Sequence, residues 1–179
     1  QEETMNLPNK LTVLRILLIP IFIILLLKRY YISSGILFIL ASATDALDGH
    51  IARKHNLITN FGKIMDPLAD KLLVTSAMIC LVELGEVAGW MVIIILAREF
   101  VITGLRAVAA GEGVIIAAGK SGKIKTVFQM LAISIILLRN WPFSMVTDLP
   151  IGDYLLWIAV AATVYSGVEY IVQNKHIFK

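Results

Sequence analysis

Six apolar runs separated by short breaks dominate this sequence and limit what it can fold into. Each run is close to the roughly 20 residues that a helix needs to cross the hydrocarbon core of a bilayer. The breaks are rich in glycine, proline and polar residues, as in "YISSG" and "DLPIGD". This pattern predicts an all-α integral membrane protein with six transmembrane helices in one domain, residues 1–179. The runs cover residues 10–28, 34–54, 63–84, 88–109, 122–140 and 153–173.

The composition supports a membrane class. Hydrophobic residues make up 58% of the chain and charged residues 16%, whereas soluble domains are about half apolar and about a quarter charged. A net charge of +3 is typical of basic cytoplasmic loops and does not indicate a nucleic-acid partner. The single cysteine, Cys80, excludes an internal disulfide and is expected to be a small core residue. Residues 1–4 precede Met5 and are interpreted as a tag or leader remnant.

The distribution of lysine and arginine predicts the orientation. Short cytoplasmic loops are enriched in these residues, so we expect both termini in the cytoplasm. With that topology the outer loops hold Lys28, Arg29 and Arg139. The inner side holds Lys10, Arg53, Lys54, Lys63, Lys120, Lys123, Lys125, Lys175 and Lys179. A signal peptide at residues 16–27 is the alternative, but no small-residue cleavage pattern follows it and five more runs do.

Two pairs of aspartates lie at the facing ends of the second and third runs. Asp45 and Asp48 are three residues apart, and Asp66 and Asp70 are four apart, so each pair shares one helix face. The short connection makes the two helices antiparallel neighbours, which places both pairs just beneath the cytoplasmic interface. Ionised acids are costly there, and clustered carboxylates suit hard divalent cations such as Mg²⁺, Mn²⁺ or Ca²⁺. The spacing alone leaves open simple ion pairing with Arg53, Lys63 and Lys71.

Two glycines and an arginine accompany the aspartates. Gly49 follows Asp48, and Gly62 lies four residues before Asp66. A glycine on a membrane helix serves close helix packing or lets a bulky polar ligand approach the backbone. Arg53, one turn beyond Gly49, is placed to contact an anion such as phosphate or to extend to the interface.

Together these residues resemble the full signature of the CDP-alcohol phosphotransferase family. The matching pattern is Asp45-x2-Asp48-Gly49-x2-Ala52-Arg53-x8-Gly62-x3-Asp66-x3-Asp70. The signature covers residues 45–70, and the six predicted spans extend the similarity along the chain. The resemblance implies that the chain moves a substituted phosphate from a CDP-linked donor to an alcohol and releases CMP. It also implies a homodimer in the bacterial cytoplasmic membrane with its active site at the cytoplasmic face.

The resemblance further implies the roles of individual residues. Asp45, Asp48, Asp66 and Asp70 would hold two divalent ions, Mg²⁺ or Mn²⁺, on the donor pyrophosphate. Asp70 would also be the general base that deprotonates the attacking hydroxyl. The segment "LPNKLTVLR" resembles the first span of the family and adds Arg15 as a further candidate near the nucleotide. The implied CDP-binding residues are Asn9, Thr12, Asp48, Gly49, Ala52, Arg53, Gly62 and Asp66.

Basic residues of the fourth and fifth runs bear on the acceptor alcohol. Arg98 and Arg106 are eight residues apart, roughly on one face of the fourth helix. Arg106 and the pair Lys123 and Lys125 flank one short cytoplasmic loop and could converge on an anion, or they are ordinary positive-inside charges. Arg98 lies about 12 Å deeper than Arg106, where an unpaired charge is costly. Its candidate structural partners are Glu99 and Glu169.

The acceptor is also indicated by resemblance within the family. "MNLPNKLTVLR", "REFVITGLR" and "GKIKT" closely resemble members that join CDP-diacylglycerol to sn-glycerol 3-phosphate. Arg106, Lys123 and Lys125 would then bind the acceptor phosphate, with Arg98 supporting. Inositol phosphate, serine and phosphatidylglycerol are the alternative acceptors. A cation or proton transporter is a more remote hypothesis, because its acids would be distributed through the bilayer. A purely structural scaffold would show no change in activity when Asp70 becomes Asn.

Overall fold

The computed structural model describes residues 7–54, 60–111 and 119–174. Side chains at residues 7, 8, 45–54, 60, 61, 63, 64 and 120 are excluded from the description. The predicted remnant at residues 1–4, the connection at 55–59, Lys175 and Lys179 lie outside the described residues. Within them the chain is all-helical and has no strand. The elements are α1 Leu7–Leu27, α2 Tyr31–Lys54, α3 Asn60–Glu83, α4 Gly89–Gly111, α5 Lys120–Leu137, a 3₁₀ turn Phe143–Met145 and α6 Ile151–Gln173.

The six helices coincide with the six predicted runs, and their ends have local causes. α5 ends three residues before the predicted boundary because Arg139 and Asn140 adopt φ values of 56° and 60°, which a right-handed helix does not accommodate. Arg29, with φ of 63°, likewise lies beyond the end of α1. The prediction of an all-α chain is therefore confirmed for the described residues.

Helix α1 exposes apolar side chains and buries polar ones, the reverse of a helix at a protein–water boundary. Leu17 and Ile24 are exposed, whereas Thr12 and Arg15 are buried. A surface helix in water buries its apolar face and exposes its polar one, so this reversal suits an apolar surrounding. By length and composition, two described helical segments could cross a membrane, Asn9–Leu27 and Ile151–Gln173.

The first compact unit comprises residues 1–84 and 137–139. Its helix α1 packs extensively against both α2 and α3, which contact each other much less. The Phe22 and Phe38 rings meet with centroids 5.9 Å apart in the α1–α2 interface. α3 buries one residue per turn at intervals of four, a spacing that keeps the buried side chains on one helix face. These residues are Ala69, Leu73, Ala77 and Leu81.

The second compact unit comprises residues 85–136 and 140–179. Here α4 packs against α6, and the Trp90 and Trp157 rings lie 5.2 Å apart at their centroids. The start of α6 is tied down by Gly152, whose N–H donates to Asn140 Oδ1 at 2.9 Å. This bond satisfies one of the backbone donors that a helix leaves open in its first turn.

Candidate functional site

Three polar residues of α1 form a buried stripe in the first unit. Asn9, Thr12 and Arg15 are 5%, 1% and 2% exposed, and their spacing of three places them along one helix face. Thr12 Oγ1 donates to Asp66 Oδ1 on α3 at 2.5 Å. Arg15 Nε donates to the carbonyl oxygen of Ala41 on α2 at 3.2 Å. The stripe therefore bonds to both of the helices that carry the signature aspartates.

The α3 half of the predicted acidic site lies within the described residues. Asp66 and Asp70 are half-buried and are one turn apart on the same helix. Gly62, one turn before Asp66, is buried, as expected for a position against which a neighbouring helix packs or a ligand approaches. These positions agree with the face predicted from the spacing of four.

The α2 half is described by its backbone alone. Residues 45–54 are helical, so the backbone positions of Asp45 and Asp48 keep the predicted spacing of three on α2. The side chains of Asp45, Asp48, Ala52 and Arg53 and the surroundings of Gly49 lie outside the described residues. Their convergence on α3 stays a prediction. One turn before Asp45, the Ala41 carbonyl accepts from Arg15 Nε and, at 2.8 Å, from Thr44 Oγ1.

The described carboxylates are of the chemical type that binds a divalent metal ion. Among the side chains that the structure describes, no group of three or more His, Cys, Asp or Glu forms a ready metal site. Two of the four predicted carboxylates are outside that set. Asp66 and Asp70 offer the carboxylate oxygens that Mg²⁺ and Mn²⁺ prefer. The Thr12 hydroxyl bonded to Asp66 is the kind of outer contact that orients a metal-ligating carboxylate.

A second polar cluster lies in the second unit, between α4 and α5. Glu99 Oε1 accepts from Lys125 Nζ and, at 3.3 Å, from Arg98 Nη1. Of the two acids expected near Arg98, the structure selects Glu99, while Glu169 accepts from Gln173 Nε2 at 3.3 Å. Arg98 and Lys125, both predicted to act on the acceptor, are thus joined by one carboxylate.

The other two predicted acceptor residues have different surroundings. Arg106 Nε donates to the Tyr170 hydroxyl at 3.4 Å, and its guanidinium carbon lies 5.5 Å from the centre of the Tyr170 ring. Lys123 is exposed. Within the described contacts, the structure brings Arg98 and Lys125 together and places Arg106 against α6.

Sequence reasoning did not identify the contact between Glu99 and Lys125 or the contact between Arg106 and Tyr170. Both join residues of different helices, and no spacing within one helix reports them. Burial of Lys125 beside the exposed Lys123 was equally hidden, because positions two apart on a helix point in different directions.

Comparison with known proteins identifies the class. Residues 5–165 match the family described as CDP-alcohol phosphatidyltransferase, and the chain belongs to that family. It is accordingly a phosphatidyltransferase of the CDP-alcohol class, and the family together with the apolar helices indicates a membrane protein.

Three curated relatives share a more specific name, CDP-diacylglycerol–glycerol-3-phosphate 3-phosphatidyltransferase. The protein of Bacillus subtilis strain 168 is 50% identical, with 97% of each chain covered. That of Rickettsia typhi is 41% identical, covering 97% of this chain and 99% of the relative. That of Pseudomonas fluorescens is 41% identical, covering 93% of this chain and 89% of the relative.

Proposed function

We propose that this protein transfers the phosphatidyl group of CDP-diacylglycerol to sn-glycerol 3-phosphate and produces phosphatidylglycerophosphate and CMP. The observation that carries the proposal is similarity over nearly the whole length to relatives named for this reaction, at 50% and 41% identity. The complete aspartate signature at residues 45–70 adds the residues that the chemistry needs.

The donor site is assigned to the first unit. Asp45, Asp48, Asp66 and Asp70 would hold divalent metal, Mg²⁺ or Mn²⁺ and two ions by the resemblance. When bound, such ions neutralise the charge of the pyrophosphate and stabilise the charge that develops on transfer. The chain's own residues orient the carboxylates, as the Thr12 contact to Asp66 illustrates. The CDP moiety is assigned to Asn9, Thr12, Asp48, Gly49, Ala52, Arg53, Gly62 and Asp66.

Asp70 is assigned the proton transfer. A new P–O bond forms between the acceptor hydroxyl oxygen and the phosphatidyl phosphorus, and the P–O bond to CMP breaks. The hydroxyl proton passes to the Asp70 carboxylate, which acts as general base. Asp70 is half-buried one turn beyond Asp66, so the base and its neighbouring carboxylate lie on one face of α3.

The acceptor phosphate is assigned to the cations of the second unit. Arg98 and Lys125 are drawn together by Glu99, and this triad carries a net positive charge that complements a phosphate. Arginine and lysine donors form strong charge-assisted bonds to phosphate oxygens. Arg106 and Lys123 complete the proposed set, with Arg106 oriented by Tyr170.

The proposed setting is a six-span protein of the bacterial cytoplasmic membrane with both termini and the active site at the cytoplasmic face. The single domain would cover residues 1–179, and the enzyme would act as a homodimer. The lysine and arginine distribution supports this orientation. The acyl chains of the donor would stay in lipid while the nucleotide reaches the cytoplasm.

The deciding experiment measures CMP release from CDP-diacylglycerol by the purified protein in mixed micelles with Mg²⁺ or Mn²⁺. We expect release that depends on the metal and on glycerol 3-phosphate. Inositol phosphate, serine and phosphatidylglycerol serve as matched acceptors in parallel reactions. Substantial CMP release with serine and none with glycerol 3-phosphate would contradict the proposed acceptor while leaving the class of reaction intact.

A further inference from the structure

The cluster formed by Arg98, Glu99 and Lys125 is organised around the carboxylate. A single oxygen, Glu99 Oε1, accepts from both cations. The side chains of Arg98 and Lys125 are 14% and 4% exposed. Cationic groups withdrawn from water in this way need hydrogen-bonded partners, which also hold them in position. Glu99 thus fixes where both cationic groups lie.

The path of the Arg98 side chain is also unusual. Residues adjacent in a helix do not face each other, yet Arg98 Nη1 reaches Glu99, its immediate neighbour. Two glycines make room for this path. A Cβ atom added at Gly167 of α6 would lie 3.2 Å from Arg98 Cγ, and one added at Gly122 of α5 would lie 3.3 Å from Arg98 Nη2. The Arg98 side chain therefore lies against one glycine of α5 and one glycine of α6.

One donor of this side chain points to a ligand. Within the part of the chain that the structure describes, Arg98 Nε is buried and has no hydrogen-bond acceptor. Buried donors are nearly always satisfied in native proteins, and each exception calls for an explanation. An anion bound at this cluster would supply the acceptor.

We propose that Glu99 is the positioning residue of the acceptor site, holding Arg98 and Lys125 so that their remaining N–H groups converge on the phosphate of the acceptor. The glycines at 122 and 167 keep the Arg98 side chain on this path. The proposal rests on the proposed function, in which Arg98 and Lys125 bind that phosphate. It adds one carboxylate to an acceptor site for which the sequence predicted only arginine and lysine residues.

The first test removes the charge of Glu99 and keeps its shape. We expect Glu99→Gln to raise the KM for glycerol 3-phosphate about 10-fold, with the KM for CDP-diacylglycerol and kcat changed less than about 2-fold. If the Glu99 carboxylate only repelled the incoming phosphate, its removal would lower the KM for glycerol 3-phosphate. A lowered or unchanged KM for glycerol 3-phosphate in the folded variant would overturn the proposal.

A double-mutant cycle tests whether Glu99 acts through Lys125. If Lys125→Gln alone raises the acceptor KM about 30-fold, the double variant with Glu99→Gln should show a KM raised about 30- to 100-fold. This is less than the product of the two single effects, because contacting residues are not additive, and the remaining increase reflects the loss of the Glu99 contact to Arg98. A roughly 300-fold increase, the product of independent effects, would overturn the positioning role. An unchanged acceptor KM in Lys125→Gln would instead overturn the acceptor assignment of the proposed function, and the positioning role with it.

The glycine path provides a test that leaves every charge in place. Gly167→Ala presses on Arg98 Cγ and should raise the acceptor KM roughly 3-fold, since small displacements weaken oriented contacts. Gly104→Ala is the matched control in the same unit, because an added Cβ there meets nothing within 4 Å. Thermal unfolding in detergent verifies that both variants fold. Equal acceptor KM values in the two folded variants would contradict the confinement of Arg98.

Discussion

Two polar clusters, one in each compact unit, differ in the partners that their charged side chains contact. In the first, the carboxylate of Asp66 meets the neutral hydroxyl of Thr12, and the guanidinium of Arg15 meets a backbone carbonyl of α2. In the second, the cationic groups of Arg98 and Lys125 meet the carboxylate of Glu99. The described contacts of the α1 stripe thus join a charge to a neutral group, and those of the cluster formed by Arg98, Glu99 and Lys125 join charge to charge.

This difference matches the ligands that we assign to the units. The Thr12 hydroxyl orients the Asp66 carboxylate without adding an opposing charge, which suits a ligand for a divalent cation. An ion pair orients its members and neutralises part of the charge. The second unit therefore holds two cations close together at lower electrostatic cost and still presents a net positive charge to a phosphate.

The strongest way to break this comparison is to neutralise the base of the acidic unit. Asp70→Asn should lower the rate of CMP release roughly 100- to 10,000-fold, the range for loss of a positioned general base. The rate is measured with saturating CDP-diacylglycerol and glycerol 3-phosphate, and gel filtration in detergent checks that the variant folds.

Glu83→Gln is the matched control for that variant. Glu83 lies at the other end of the same helix, α3, and is exposed, so its neutralisation should change the rate less than about 2-fold. Substantial transfer by folded Asp70→Asn would refute the catalytic role of Asp70.

The second prediction separates two lysines of α5 that the sequence treats alike. Lys125 is buried against Glu99, and Lys123 is exposed. Lys125→Gln should raise the KM for glycerol 3-phosphate about 30-fold, because a buried charge-assisted contact is lost. Lys123→Gln should raise it only about 3-fold, because an ionic contact made by an exposed lysine to the phosphate is weakened by solvent. Equal KM values for the two variants would show that burial against Glu99 does not distinguish them.

The third prediction sharpens the role of the neutral donor in the first unit. Thr12→Val removes the hydroxyl that bonds to Asp66 and keeps the shape, so metal affinity should fall roughly 10-fold, as for other outer-shell contacts. Mn²⁺ binding is measured by electron paramagnetic resonance on the protein without substrates. Thr12→Ser retains the hydroxyl and should bind Mn²⁺ like the parent protein. Weakened binding in both variants would point to lost packing instead of the lost hydrogen bond.

The prediction with the smallest effect concerns the stability of glycine variants in the two units. A Cβ at Gly152 in the second unit would lie 2.6 Å from Ile136 Cγ1 and 3.1 Å from the Ile136 backbone nitrogen. Gly152→Ala should therefore lower the free energy of unfolding by about 1–3 kcal/mol. In the first unit, the nearest atom to a Cβ at Gly35 is the terminal Leu138 Cδ2, at 3.0 Å. Gly35→Ala should lower the free energy of unfolding less, by about 1 kcal/mol or below. Unfolding in mixed micelles measures both variants, and a larger loss for Gly35→Ala than for Gly152→Ala would contradict the prediction.

Helix positions were the part of the fold most accessible from sequence. Long apolar runs and their breaks located all six described helices, because the length of a run and the residues that interrupt it act locally. The end of α5 was less accessible. Leu138 continues the apolar run, and residues 138–140 contain no proline or glycine. The positive φ of Arg139 and Asn140 accompanies the contact of Asn140 with α6.

In the candidate site, too, relations within one helix were predictable from sequence and contacts between helices were not. The spacing of Asp66 and Asp70 places them on one face of α3, since helix geometry alone sets that relation. The polar stripe of α1 was only partly visible. Asn9, Thr12 and Arg15 were predicted from resemblance to the family's first span. The bond from Arg15 to Ala41 joins residues 26 positions apart and has no local signal.

The sequence by itself determined the class of chemistry and the helices that carry it. The signature residues lie at fixed separations along two runs, and an α-helix converts such separations directly into shared faces. Only the tertiary structure decided which charges meet. The pairing of Glu99 with Lys125 and of Thr12 with Asp66 depends on how separate helices pack. Ion pairs and hydrogen bonds act through space over a few ångströms, so they do not depend on the separation of the two residues along the chain.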